Sequence, residues 1–136
     1  MREILFRAKA INRDEGWSYR TNYKNGDWVY GLVITMYDDR FPNIPANMKN
    51  TDGVSGIDVD YRTIGEYTGL TDKNGTKIFE GDIVRIVYNG NEFEYVVVWD
   101  KCESDFRATN GRENYGSNFQ YLNCCDEVEI IGNIYD

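Results

Sequence analysis

Apolar and polar residues alternate along much of this chain, and the alternation runs at the two-residue period of a β-strand. "REILFRAK" puts Ile4, Phe6 and Ala8 on one side and Glu3, Leu5, Arg7 and Lys9 on the other. That pattern predicts a strand with one face in the core and one largely wet. In "WVYGLVITMY", Trp28, Tyr30, Leu32, Ile34 and Met36 share a face opposite Val29, Val33, Thr35 and Tyr37, so both sides are apolar enough to be covered. Gly31 in its middle predicts a bulge or a close backbone crossing. Further on, "IFEGDIVRIVY" and "FEYVVVWD" flank Asn89-Gly90, a strong short-range hairpin signal, which pairs residues 83–88 with 92–99. Shorter strands are expected at "SDFRA" and "NFQYL", and a last one in "DEVEIIGNIYD".

Turn chemistry punctuates these runs. Asn25-Gly26 marks a reversal before the second strand, Asp72 to Gly75 reads as a four-residue turn, and Gly81-Asp82 reads as a corner. Residues 38–60 hold both prolines and little periodicity, which predicts a long loop or insertion, with a short helix at most around "IPANMKN". No ten-residue stretch is convincingly helical. The fold class expected is therefore mainly β: meander strands and hairpins curled into small barrel-like units. The whole chain, 1–136, is expected to form one domain, with N-terminal strands over 1–37, the insertion over 38–60 and a barrel-like core over 61–136.

Composition narrows the picture. A chain of 136 residues, 41% hydrophobic, can bury a core without staples. No apolar run approaches the length of a membrane-spanning helix, and the first ten residues lack a signal-peptide core, so a cytoplasmic location and no membrane contact are expected. Three cysteines, two of them adjacent, make a poor disulfide framework, and with no histidine the usual zinc patterns are absent. Neither a metal, a cofactor nor a disulfide is expected.

Charge changes the picture more. Of the net −8, residues 87–136 carry −7, from ten acids and three bases. Alternation in "NEFEYVVVWD" and "DEVEI" sets Glu92, Glu94, Glu127 and Glu129 on strand faces opposite Phe93, Tyr95, Val128 and Ile130. If those strands are neighbours, the four glutamates form an outward acidic patch suited to a basic protein partner. The bland alternative is solubility.

Other chemistry is thinner. Glycines 69, 75 and 81 do not match a phosphate-loop spacing. Glu80 and Asp82, with Glu66, have the residue types of a carboxylate metal or acid–base site, which keeps a metal-dependent enzyme as a third reading behind the two binding modes. Nucleophilic catalysis lacks its usual histidine base. One basic-aromatic region exists, in which Trp17, Tyr19, Tyr23 and Trp28 interleave with Arg13, Arg20 and Lys24. It offers an alternative function, a nucleic-acid-associated module that stacks bases, although so acidic a chain makes nucleic acid the less favoured partner.

"MREILFRAKA", "WVYGLVI", "VDYRTIGEYTGLTDKNGTKIFEGDIV" and "EVEIIGNIYD", in that order, resemble the YopX-like proteins of phages and prophages. Tyr61 and Glu66 depart from that family's pattern. The resemblance implies a small mainly-β protein of phage or prophage origin, working in a bacterial host cell, and it implies no catalytic residues. Together with the acidic half, it leads to the expectation of a non-catalytic accessory protein that binds a host or phage protein. Self-association is also expected, from the two-sided apolar strand 28–37 and the exposed edges of short meanders.

Overall fold

At Asn89 and Gly90 the backbone takes φ values of 54° and 80°, the paired left-handed geometry of a two-residue hairpin loop. Tyr88 and Asn91 then face each other, and the flanking strands zip in register from Val87–Glu92 to Ile83–Val96. The hairpin stands where the sequence put it. A computed structural model describes residues 3–11, 23–35, 46–100, 105–110 and 119–136. They fall into two compact units, residues 3–66 and residues 67–136.

The first unit holds β1 (Phe6–Lys9), β2 (Trp28–Thr35), β3 (Ala46–Asn50), β4 (Ile57–Val59), a 3-10 turn at Tyr61–Thr63 and the start of β5 (Gly65–Thr71). The order is β4-β3-β2-β1, all antiparallel, with Gly65 and Glu66 on the far side of β1. Its core is Ala8, Ala10, Val29, Ala46, Met48, Ile57 and Val59. Two expectations are corrected here. Residues 46–50 and 57–59, read as loop or short helix, are strands: Ala46 and Met48 are fully buried while Asn47 and Lys49 point away, an alternation too short and too polar to stand out in sequence. The β3–β4 turn is organised by Asn50, whose Oδ1 accepts from Asp52 N and Val54 N at 3.0 and 2.8 Å. Within the expected insertion, residues 38–45 lie outside the described residues.

The second correction concerns β1. It is not half wet: Leu5 and Arg7 are buried along with Ala8, because β1 lies between β2 and β5. In β2 the inner face is Val29, Gly31 and Val33, and the larger residues Tyr30, Leu32 and Ile34 stay 40–59% exposed.

The second unit continues β5 and adds β6 (Lys77–Phe79), β7 (Asp82–Tyr88), β8 (Asn91–Asp100), β9 (Asp105–Thr109), β10 (Phe119–Tyr121), a 3-10 turn at Leu122–Cys124 and β11 (Glu127–Asn133). Five strands form an antiparallel sheet in the order β10-β9-β8-β7-β11. Its inner face buries Val84, Ile86, Tyr95, Val97, Phe106 and Ala108 with Ile78 and Leu122, and Phe93, Val128 and Ile130 pack against them. The mainly-β class holds, but the barrel does not. Closure needs every strand paired on both sides, and this sheet ends at β10 and β11. In the first unit an isolated Ala10–Val59 bridge, with bonds from Ile11 N to Asp58 O and Asp60 N to Lys9 O, joins the end of β1 to β4. Among the described residues no helix is long and apolar enough to cross a membrane.

Candidate functional site

Asp72 opens the turn read from "TDKNG", and its carboxylate has been spent on backbone. Oδ1 accepts from Asn74 N and Thr76 N at 2.9 and 3.0 Å. Oδ2 reaches across to β11 and accepts from Ile130 N at 3.1 Å. Burial resists charge on this group, but the three N–H donors, from Ile130, Thr76 and Asn74, outweigh it, and Lys73 adds to them, so the carboxyl is held below its ordinary value. Lys73 N donates to Val128 O at 2.9 Å beside it. The turn thus occupies backbone groups of β11, an edge strand of the five-stranded sheet.

Asp82 behaves alike: it is 2% exposed, and Oδ2 accepts from Phe79 N at 2.8 Å. At the adjoining corner Gly81 has φ 88°, and a Cβ there would sit 2.9 Å from the Tyr135 ring. Gly81 N bonds Val97 O and Gly81 O accepts from Ile134 N, so the corner is also the seat of the chain's last residues. Residues 67–82 are strand, turn, strand and corner, with no helix to present amides to a phosphate. Among the described residues no three His, Cys, Asp or Glu side chains group to hold a metal ion. The carboxylate reading of Glu66, Glu80 and Asp82 gains no geometry from this arrangement.

The four glutamates of the acidic face are brought together, although β8 and β11 are not neighbours. They flank β7, and the registers give two rows: Glu92–Val87–Glu127 and Glu94–Arg85–Glu129. Directly opposed residues share a face, so all four project on the side opposite Val84, Ile86 and Tyr95. Sequence reasoning missed the cations among them. Lys73 Nζ lies 2.9 Å from Glu127 and 2.8 Å from Glu129, and Arg85 pairs with Glu129 as well. Lys73 first and Arg85 second lower the Glu129 carboxyl. Arg85 was legible as the outward residue between Val84 and Ile86, but Lys73 was not, because its approach depends on where the turn docks. The patch therefore divides. Glu127 and Glu129 clamp the turn to the sheet, whereas Glu92 and Glu94 stand exposed on β8 with Arg85 opposite Glu94.

In the basic-aromatic region, Trp17, Tyr19 and Arg20 lie outside the described residues, as does Arg13. Tyr23 is half-buried against the first core, and its hydroxyl accepts from Asn50 Nδ2 at 3.2 Å. Lys24 is exposed, its backbone N bonded to Asp27 Oδ2. Trp28 carries the Arg7 guanidinium 4.3 Å and the Lys9 ammonium 5.2 Å from its ring centre, so cations already occupy the π-face that stacking would use.

Cys124 is exposed, and burial, with Cys124 and Asp126 nearby, pushes the Cys125 thiol up to about 11. Only the thiolate attacks an alkylating reagent. Iodoacetamide at neutral pH is therefore expected to label Cys124 well before Cys125, with Cys125 catching up only as pH approaches about 11. Peptide mapping by mass spectrometry checks the order, and equal rates would contradict the burial of Cys125.

No curated protein matches the chain. A family model described as "YopX protein" matches residues 7–136, nearly its whole length. The match takes in both the 67–82 block and the β11 segment that this block grips. The chain belongs to the YopX protein family.

Proposed function

We propose that this protein is a non-catalytic accessory module, phage- or prophage-encoded, that binds a basic protein in the cytoplasm of a bacterial host. One observation carries the reading: Glu92 and Glu94 stand exposed on a strand whose opposite face is locked into the core. A rigid strand presents charge at low entropic cost, and exposed carboxylates steer a basic surface toward it. The carboxylates of the 67–82 block support a non-catalytic role, since Asp72 and Asp82 are engaged with backbone N–H groups.

Capture from nuclease-treated host lysate tests this. Wild-type bait is expected to retain a basic protein at low salt and to release it as screening shortens to about 8 Å and below. E92Q/E94Q is expected to lose that capture while its thermal midpoint stays within about 2 °C of wild type. E127Q/E129Q is expected to lower the midpoint more than E92Q/E94Q does, because it releases Lys73 and Arg85. Capture indifferent to salt and to E92Q/E94Q would leave the acidity a matter of solubility, and recovery of RNA or DNA alone would overturn the reading.

A further inference from the structure

Asn-Gly occurs four times in this chain, at Asn25-Gly26, Asn74-Gly75, Asn89-Gly90 and Asn110-Gly111. The dipeptide carries a reaction of its own: the glycine amide nitrogen attacks the amide carbon of the preceding side chain, with no Cβ on the glycine to hinder the approach. Gly111 lies outside the described residues, which leaves three pairs to compare. Exposure does not separate them, since Asn25, Asn74, Asn89 and their glycines all face solvent. Nor does backbone angle, because Gly26, Gly75 and Gly90 all have φ between 80° and 89°. The attacking nitrogen does separate them. Gly26 N donates to Ala10 O at 2.8 Å, which ties it to the residue after β1. Gly75 N donates to Asp72 O at 3.0 Å, and Asn74 N beside it is held by Asp72 Oδ1 at 2.9 Å. Among the described residues Gly90 N donates to no group. Its turn is anchored instead through Asn89 N, which donates to Asp126 Oδ2 at 3.2 Å, and through the Tyr88–Asn91 pair.

We propose that Asn89 is a site of spontaneous deamidation, the first of these three to convert, and that it adds a carboxylate at the tip of the β7–β8 hairpin. Gly90 N gives its proton to hydroxide and bonds to Asn89 Cγ. The Cγ–Nδ2 bond then breaks, and the nitrogen takes up a proton and leaves as ammonia. The five-membered succinimide that remains is opened by water. Cleavage between Gly90 N and Cγ yields aspartate, and cleavage between Gly90 N and the Asn89 backbone carbonyl carbon yields isoaspartate. Both products are ionised at neutral pH, so each conversion makes the Glu92 end of β8 more acidic. The isoaspartyl product also carries the main chain through the former side chain. That lengthens by a methylene a two-residue loop whose φ values of 54° and 80° suit its strands as they stand, and it disturbs the Tyr88–Asn91 pairing. At Asn25 and Asn74 the same chemistry must first break the hydrogen bond that holds the glycine N–H.

Timed incubation of the full chain in neutral and mildly alkaline buffer tests the proposal, read by peptide mapping with fragmentation that separates aspartyl from isoaspartyl products. In the folded chain acid is expected at residue 89 before residues 25 and 74, faster as hydroxide rises. In concentrated urea, where the three dipeptides lose their folded surroundings, the three rates are expected to converge. The ratio of urea to native rate is expected to be about tenfold or more at Asn25 and Asn74, the factor that opening one hydrogen bond imposes, and smaller at Asn89. Asn89→Gly, which keeps the left-handed geometry of the loop, is expected to slow the appearance of more acidic species on anion exchange. The urea-to-native ratios are measured on wild type alone and do not depend on how that variant folds. Conversion at residue 25 or 74 as fast as at residue 89 in the native chain overturns the proposal. So does protection of Asn89 equal to theirs, or an unchanged rate of acidification in Asn89→Gly.

Discussion

Gly31→Ala is expected to be the most damaging single-methyl change available in the first unit. A Cβ at residue 31 would lie 2.0 Å from the Lys49 carbonyl oxygen and 2.8 Å from Asn50 Cα, both backbone atoms of β3. No side chain can rotate out of the way, so β2 and β3 must separate. The strands meet there through Gly31–Asn50 and Leu32–Lys49, and Thr51 N bonds Tyr30 O at 3.0 Å just beyond. Parting them opens the layer over Val29 and Met48. Overpacking of this severity reaches about 3 kcal/mol or more, a large share of the roughly 5–15 kcal/mol that holds an ordinary domain. At a urea dependence near 1.5 kcal/mol/M the midpoint falls by about 2 M. Amide exchange localises the effect: protection is expected to be lost first in residues 29–33 and 46–50. An unchanged midpoint would show that β2 and β3 do not approach as closely as described.

Asp72→Ala is expected to be the comparable lesion in the second unit. It leaves the amides of Asn74, Thr76 and Ile130 without their acceptor, and buried donors left unsatisfied cost about 1–3 kcal/mol each when water cannot replace the partner. Some of these amides regain water, so a total of about 2–4 kcal/mol is expected. Asp72→Asn keeps one acceptor oxygen and is expected to lose about half as much. The two variants also differ from wild type in their pH dependence. Asp72 and Glu129 both titrate below their ordinary values in the folded chain. Their contribution is therefore complete above the unfolded carboxylate range near pH 4 and disappears as pH falls through the folded values. Urea midpoints between pH 7 and pH 3 are expected to fall in wild type and to fall less steeply in Asp72→Asn. Parallel slopes would remove Asp72 from the acid sensitivity of the fold.

Local chemistry was legible in the sequence wherever it depends on neighbours in the chain. Asn89-Gly90 dictates its hairpin because the left-handed angles it tolerates match the twist of paired strands. Asp72 with Gly75 announces a turn, and Gly31 inside an apolar strand announces a close approach. Alternation in "NEFEYVVVWD" and "DEVEI" placed four glutamates outward and Phe93, Tyr95, Val128 and Ile130 inward before any strand order was known. Residues 46–50 escaped the same logic, because two inward residues in five are too few to raise a period above the surrounding polarity.

What tertiary structure alone decided is which distant groups meet. Ile130 N finds Asp72 fifty-eight residues away, Lys73 meets Glu127 and Glu129 across a sheet edge, and the Tyr135 ring lies against Gly81. Composition and periodicity say which way a side chain points but not which strand lies beside it, since any outward acid would satisfy the pattern equally. The division of four similar glutamates into two that pair with Lys73 and two that stand farther off on β8 follows from where one turn docks. That position is set by two hydrogen bonds to the backbone of an edge strand, one from Lys73 N and one to the Asp72 carboxylate, and neither residue type says which strand it will meet.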